Sequence, residues 1–126
     1  MLQKSLVVVS VLLLACMAIA AEKVKLNGYI IDNMCAGHHG KDAKVEELVK
    51  THKTSCALMD GCSESGYALF SDGKFYKLDA SGSEKAMALL KKTKSEKGLA
   101  VQVEGTVEGD TLTVSSISEA APPTQK

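Results

Sequence analysis

The chain has 126 residues, and its 15 basic residues, all of them lysine, balance 15 acidic ones, so the net charge is zero. Arginine and tryptophan are absent, and these are the side chains that most often read base edges and stack on bases, so nucleic-acid binding is not expected. A chain of this length is expected to form a single domain.

Residues 1–20 have the pattern of a secretory signal, with a basic start at Lys4, an apolar centre and small residues before a cleavage site after Ala20. The apolar centre is shorter than the ~20 residues that span a bilayer. We therefore expect a periplasmic or secreted protein, in a compartment where disulfides form. The alternative is a lipoprotein anchored at Cys16, because the sequence before this cysteine resembles a bacterial lipobox.

The first element after the signal is a predicted strand. Residues 23–31 alternate apolar and polar side chains, and Gly28 in the middle indicates a bulge or a tight bend. Segment 32–66, named here the Cys/His insert, follows it and holds all three histidines and every cysteine beyond residue 20. Within the insert, Asp42 is expected to cap a helix that runs on through His52.

Two hairpins and a second helix are predicted after the insert. A turn at Asp72 and Gly73 sets Phe70 opposite Phe75 in the first hairpin. Ser81 and a glutamate three residues later have the spacing of a capping box, which predicts a helix to about Lys94.

The second hairpin joins residues 99–107 to residues 111–117 and sets Val107 opposite Leu112. Residues 119–126 then form a loose tail.

The order strand, insert, strand, strand, helix, strand, strand predicts a mainly β domain with two helices over residues 21–118. Five strands with a helix between the third and fourth are typical of the OB-fold barrel, and the Cys/His insert enlarges the connection between strands one and two. That connection borders the usual binding face of OB folds. A small open sheet with two helices is the alternative architecture.

Three stretches carry a family resemblance: G-Y-I-I-D-x-x-C, C-x5-C-x3-G-Y-A-L-F and V-x-V-E-G-T-V-E-G-D-T-L-T-V. They resemble small exported bacterial proteins of unknown function over nearly the whole chain after the signal. The strands alone are more distantly similar to periplasmic OB-fold proteins linked to stress tolerance, which generally lack this insert. The resemblance implies a fold and an exported location, and it supplies no catalytic residues.

The insert contains a candidate metal site. Cys35 and His38 form C-x-x-H, His52 and Cys56 form H-x-x-x-C, and Cys62 follows. Pairs at these spacings converge on one ion easily, in a tight turn for the first pair and on one helical face for the second. These five residues are the candidate ligands, and a tetrahedral sulfur and nitrogen site suits zinc.

Copper(I) is the second candidate metal, because thiolates with Met34 or Met59 nearby form a soft ligand set. His39 and Asp32 are spare ligands, or groups that orient the ligands.

A disulfide is the alternative use of the cysteines, since exported proteins use most cysteines in this way. A bridge from Cys35 to Cys56 or Cys62 would stabilise the fold by ~3 kcal/mol, and a bridge from Cys56 to Cys62 would only pin a short loop. One bridge leaves one thiol over, which keeps the metal hypothesis competitive.

Two functions follow from these alternatives. The first is an exported binding domain with a zinc or copper site in the insert. The second is a disulfide-stapled envelope module, without metal, that binds a small ligand, a glycan or a protein partner through the barrel face. A thiol enzyme is not expected, because no catalytic signature surrounds the cysteines and C-x-x-C is absent.

Overall fold

The computed structural model describes residues 21–122, so the predicted signal and the last four residues of the tail lie outside the described residues. The chain forms a closed barrel of five strands in the order β1-β2-β3-β5-β4. The strands are β1 (Glu22–Asp32), β2 (Tyr67–Ser71), β3 (Lys74–Leu78), β4 (Leu99–Glu108) and β5 (Thr111–Glu119). The helices are α1 (Asn33–His39), α2 (Val45–Thr51), α3 (Thr54–Ala57), α4 (Asp60–Glu64) and α5 (Ala80–Lys92).

The predicted five-stranded barrel is confirmed, with a helical insert between the first two strands and a helix between the third and fourth. The open-sheet alternative is wrong, because β3 and β5 pair in parallel and close the barrel through Lys77 with Thr111 and Leu78 with Leu112. The number of helices also differs from the prediction, since the insert alone folds into four short helices.

Both hairpin registers are confirmed. Phe70 pairs with Phe75, and Val107 pairs with Leu112. Asp72 and Gly73 both have positive φ, of 48° and 79°, as a two-residue turn between twisted strands requires. The turn chemistry thus sets which side chains face the barrel interior.

The inner core is the apolar cluster that fills the barrel. Tyr67, Leu69 and Leu78 of the first hairpin lie in it, and α5 adds Ala86 and Leu90. Asp79 caps helix α5, and its Oδ1 accepts hydrogen bonds from the N–H groups of Gly82 and Val114. The predicted cap at Ser81 was therefore wrong, because an aspartate that can also bind β5 lies two residues earlier.

A second apolar layer lies between the barrel and the insert. The last five residues of β1 and all of β2 are buried, whereas the first half of β1 is partly exposed. Ile31 and Phe70 belong to this outer cluster, and Val49 of α2 packs on them from the insert. The insert therefore covers the outside of the barrel where β1 ends and β2 begins.

The predicted continuous helix from Asp42 through His52 was wrong. Helix α2 ends at Thr51, and His52 is extended, with φ −62° and ψ 123°. The His52 carbonyl accepts a hydrogen bond from the Gly98 N–H at 2.9 Å, and Lys53 forms a β-bridge with Lys97. These contacts with the approach to β4 replace the helical hydrogen bonds at this point.

No helix within residues 21–122 combines the length and the apolar character needed to cross a membrane.

Candidate metal centre

Asp32, the last residue of β1, lies at the centre of the insert's chemistry. Its side chain is fully buried. One carboxylate oxygen, Oδ2, accepts a hydrogen bond from the Cys35 N–H at 2.9 Å and caps α1. The other oxygen, Oδ1, has no hydrogen-bond partner. Burying a carboxylate oxygen without a partner costs folding free energy, and a cation or a proton donor next to this atom would remove that cost.

Helices α1 and α4 bring two thiols to this carboxylate. The Asn33 N–H donates to the Gly66 carbonyl at 2.9 Å, and the Asn33 side chain donates to the Ser65 carbonyl at 2.8 Å. The two ends of the insert are therefore held together. As a result Cys35, in the first turn of α1, faces Cys62 of α4.

The three ligand atoms of Asp32, Cys35 and Cys62 all lie within 4.8 Å of one another. Two sulfurs bound to one zinc ion at about 2.3 Å are about 3.8 Å apart in tetrahedral geometry. The observed limit is wider by only ~1 Å, which side-chain rotation can close. One buried carboxylate and two thiols therefore form a preassembled set of three ligands, named here the Asp32 triad.

Both thiols of the triad hold their protons more tightly than a free cysteine. Burial raises the pKa of Cys35 to about 12, and the adjacent Asp32 charge adds to the shift. Burial, followed by the Asp32 charge, also raises the pKa of Cys62. A thiol that is protonated at neutral pH is a weak nucleophile, but a metal ion can displace its proton. The triad is therefore a group of side chains that could hold a metal ion.

His52 is the nearest nitrogen ligand to the triad. Its Nε2 lies 3.5 Å from Asp32 Oδ1, an ion-pair distance without the geometry of a hydrogen bond. Burial lowers the pKa of His52, and the Asp32 charge only partly opposes that shift. A neutral imidazole is the form that binds a metal. His52 is therefore a nitrogen donor beside the Asp32 carboxylate, although it is not one of the three mutually close groups of the triad.

Cys56 lies close enough to the triad for its charge to contribute to the raised pKa of both Cys35 and Cys62. All three cysteines of the described residues are free and partly buried. The predicted H-x-x-x-C pair is nevertheless not on one helical face, because the chain is extended at His52 and Cys56 belongs to the separate helix α3.

His38 lies on the exposed side of α1. The predicted tight turn for C-x-x-H was wrong, since both residues belong to helix α1. The His38 ring lies 6.5 Å from that of His39, and His39 Nδ1 lies 3.0 Å from the Asp42 carboxylate. Of the five predicted ligands, Cys35 and Cys62 are in the triad, His52 and Cys56 are near it, and His38 faces solvent.

The central residue of the triad was predicted only as a spare ligand. The sequence did indicate that Asp32 could cap α1, because an aspartate at the start of a helix can accept a hydrogen bond from the backbone N–H three residues later, here that of Cys35. Its burial beneath the insert depends on how α4 folds back over α1, which local spacing does not reveal.

Tyr67, at the start of β2, connects the barrel to the insert. It is fully buried, and its hydroxyl donates to the Ala57 carbonyl at 2.8 Å. Burial, with the Asp32 charge, raises its pKa to about 12, so the hydroxyl keeps its proton. This hydrogen bond ties α3, and with it Cys56, to the barrel.

We expect Tyr67→Phe to lower the free energy of unfolding by ~1–2 kcal/mol, because a buried carbonyl loses its donor. Urea unfolding of the metal-free protein measures this change. Tyr76→Phe is the control, since Tyr76 is only partly buried, and its effect should stay within about 0.5 kcal/mol. Equal effects of the two substitutions would contradict a structural role for the Tyr67 hydroxyl.

Comparison with known proteins found no matching family model, no matching curated protein and no matching solved structure.

Proposed function

We propose that this protein is an exported metal-binding domain, in which Asp32, Cys35 and Cys62 hold one zinc or copper ion with His52 as the fourth ligand. The role is structural or metal-handling, and the barrel is the scaffold. The observation that carries the proposal is the buried Asp32 carboxylate: its Oδ1 has no hydrogen-bond partner, and one of its oxygens lies within 4.8 Å of two thiol sulfurs.

The composition of the ligand set supports a transition metal over calcium or magnesium. Those two ions prefer six or more oxygen ligands, and the Asp32 triad offers one carboxylate with two sulfurs. Thiolate, imidazole and carboxylate in one tetrahedral set suit zinc, and the two thiolates also suit copper(I). The export proposal rests on the pattern of residues 1–20.

Native mass spectrometry of the mature protein, purified without a histidine tag or chelator, tests the metal function. We expect the mass of one zinc or copper ion per chain, and alkylation of Cys35 and Cys62 only after a chelator removes the ion. His52→Ala should weaken metal binding by ~10-fold or more. His38→Ala is the matched control, because that histidine is exposed on the same insert.

A disulfide-stapled module is the second candidate, because the Cys35 and Cys62 sulfurs lie within 4.8 Å. It predicts a mass two hydrogens below that of the reduced chain, one alkylatable thiol, and no metal. In that case wild type and His52→Ala would both be free of metal, and reduction of the disulfide would destabilise the fold. The same mass spectrum therefore separates the two candidates.

A further inference from the structure

The insert carries two exposed methionines. Met34 is 42% exposed and Met59 is 60% exposed, and they are the exposed large apolar side chains among residues 21–122. Single apolar residues are normal on protein surfaces. These two, however, are of one residue type, both lie in the insert, and each is close in sequence to a thiol.

Both methionines are tied to the backbone that holds the thiols. Met34 immediately precedes Cys35 in α1, and its terminal methyl lies where a side chain on Gly61, the neighbour of Cys62, would touch it at 3.4 Å. The Met34 thioether group therefore reaches across from α1 to α4.

Met59 lies between Cys56 and Cys62 in the chain and is held there by its backbone. Its N–H donates to the Cys56 carbonyl at 3.1 Å, and its carbonyl accepts from the Ser63 N–H at 2.8 Å at the start of α4. One exposed methionine therefore precedes Cys35 in α1, and the other immediately precedes the helix that carries Cys62.

Thioether sulfur discriminates between the two candidate metals. It is neutral and soft, so it binds copper(I) and adds little to the affinity for zinc, for which thiolate, imidazole and carboxylate are the usual ligands. It also carries no proton that the metal must displace. An exposed thioether can therefore hold copper(I) briefly on the outside of a site whose inner ligands are buried.

We propose that Met34 and Met59 are exchange ligands through which copper(I) enters and leaves the Asp32 triad. This inference rests on the proposed metal function and adds the identity of the ion and its route. Copper(I) passes from a soft donor outside the protein to the thioethers and then to the Cys35 and Cys62 sulfurs. No electron is transferred, each new copper–sulfur bond replaces an old one, and the two thiol protons go to solvent.

The test compares wild type with a Met34→Leu/Met59→Leu double variant, and with Met87→Leu as the matched control. Leucine keeps an apolar side chain of similar size and removes the sulfur. Met87 is a partly buried methionine of α5, outside the insert. Each protein is loaded with one equivalent of copper(I) under reducing conditions without oxygen. A chromogenic copper(I) chelator then reports the transfer rate by stopped flow and the affinity by equilibrium competition.

We expect transfer from the double variant to be ~10-fold slower than from wild type, with an unchanged equilibrium affinity and an unchanged thermal midpoint. Met87→Leu should transfer copper(I) at the wild-type rate. An equal rate in the double variant overturns the exchange role. A parallel loss of affinity also overturns it, because the methionines would then be ligands of the resident ion.

The remaining outcomes separate this inference from the proposed function. A wild-type protein that binds one zinc ion but no copper(I) overturns the exchange role and leaves the metal function standing. A wild-type protein that binds neither ion overturns both.

Discussion

Asp32→Asn is expected to weaken metal binding by ~100-fold or more and, in the metal-free protein, to leave the fold at least as stable as wild type. The two effects have opposite signs because the carboxylate is a metal ligand, whereas its burial without a metal destabilises the folded protein. Its Oδ1 is buried without a hydrogen-bond partner, Oδ2 accepts from the Cys35 N–H, and the other groups nearby are His52 and the two thiols of the triad.

The substitution is nearly isosteric, which isolates the charge. Asparagine is as good a helix cap as aspartate, so its side-chain oxygen can still accept from the Cys35 N–H. Removing a buried charge whose Oδ1 accepts no hydrogen bond should return ~1 kcal/mol or more to the free energy of unfolding. Without the carboxylate, however, a metal ion keeps only thiol and imidazole ligands.

Two measurements check this prediction: metal affinity by chelator competition, and urea unfolding with and without metal. Asp42→Asn is the matched control, because its carboxylate is also in the insert but is exposed beside His39. It should change neither quantity. A metal-free Asp32→Asn protein that is clearly less stable than wild type would show that the carboxylate has a structural role, and would remove the main support for the metal site.

Gly28→Ala is expected to lower the free energy of unfolding by ~3 kcal/mol or more, which is a large part of the stability of a small domain. Gly28 lies on β1 where pairing with β4 meets pairing with β2. A β-carbon built there would lie 2.0 Å from the Phe70 carbonyl oxygen and 2.9 Å from its carbon. No side-chain rotation relieves a clash with backbone, so β1 and β2 must separate.

Gly37→Ala is the matched control for this substitution. Gly37 lies within α1, and no atom is within 4 Å of a β-carbon built there. Alanine should therefore stabilise the helix by ~0.5 kcal/mol or more. Urea unfolding and far-UV circular dichroism of both variants measure the difference. Two variants of equal stability would mean that β1 and β2 can move apart at Gly28 without loss of stability, which would contradict the prediction.

Elements set by local chemistry were predicted well from the sequence. The turn at Asp72 and Gly73 needs positive φ at both positions, which these residue types tolerate, so the strand register followed from the turn. The five strands and their order along the chain followed from alternation and turn spacing. Gly28 was predicted to mark a bulge or a tight bend, but the pairing of β1 with β4 runs through it without a shift, and the structure shows instead a close contact with β2.

The insert could be predicted only in part, because contacts distant in sequence decide its shape. The helix through His52 ends early because Lys53 pairs with Lys97, 44 positions further along the chain. The candidate ligand Cys35 was identified by its C-x-x-H spacing with His38, and Cys62 was identified by residue type. Their meeting point at Asp32 depends on the packing of α4 against α1, for which the sequence has no periodic signal.

The insert leaves the barrel and rejoins it at one rung of the sheet, since Asp32 pairs with Tyr67 and the Asn33 N–H binds the Gly66 carbonyl. The free energy of closing a loop grows only slowly with its length. The barrel can therefore accept segments of different length at this junction, provided that they cover Ile31 and Phe70. For protein engineering, this makes the junction a grafting point at which one ligand-binding segment can be exchanged for another on an unchanged barrel.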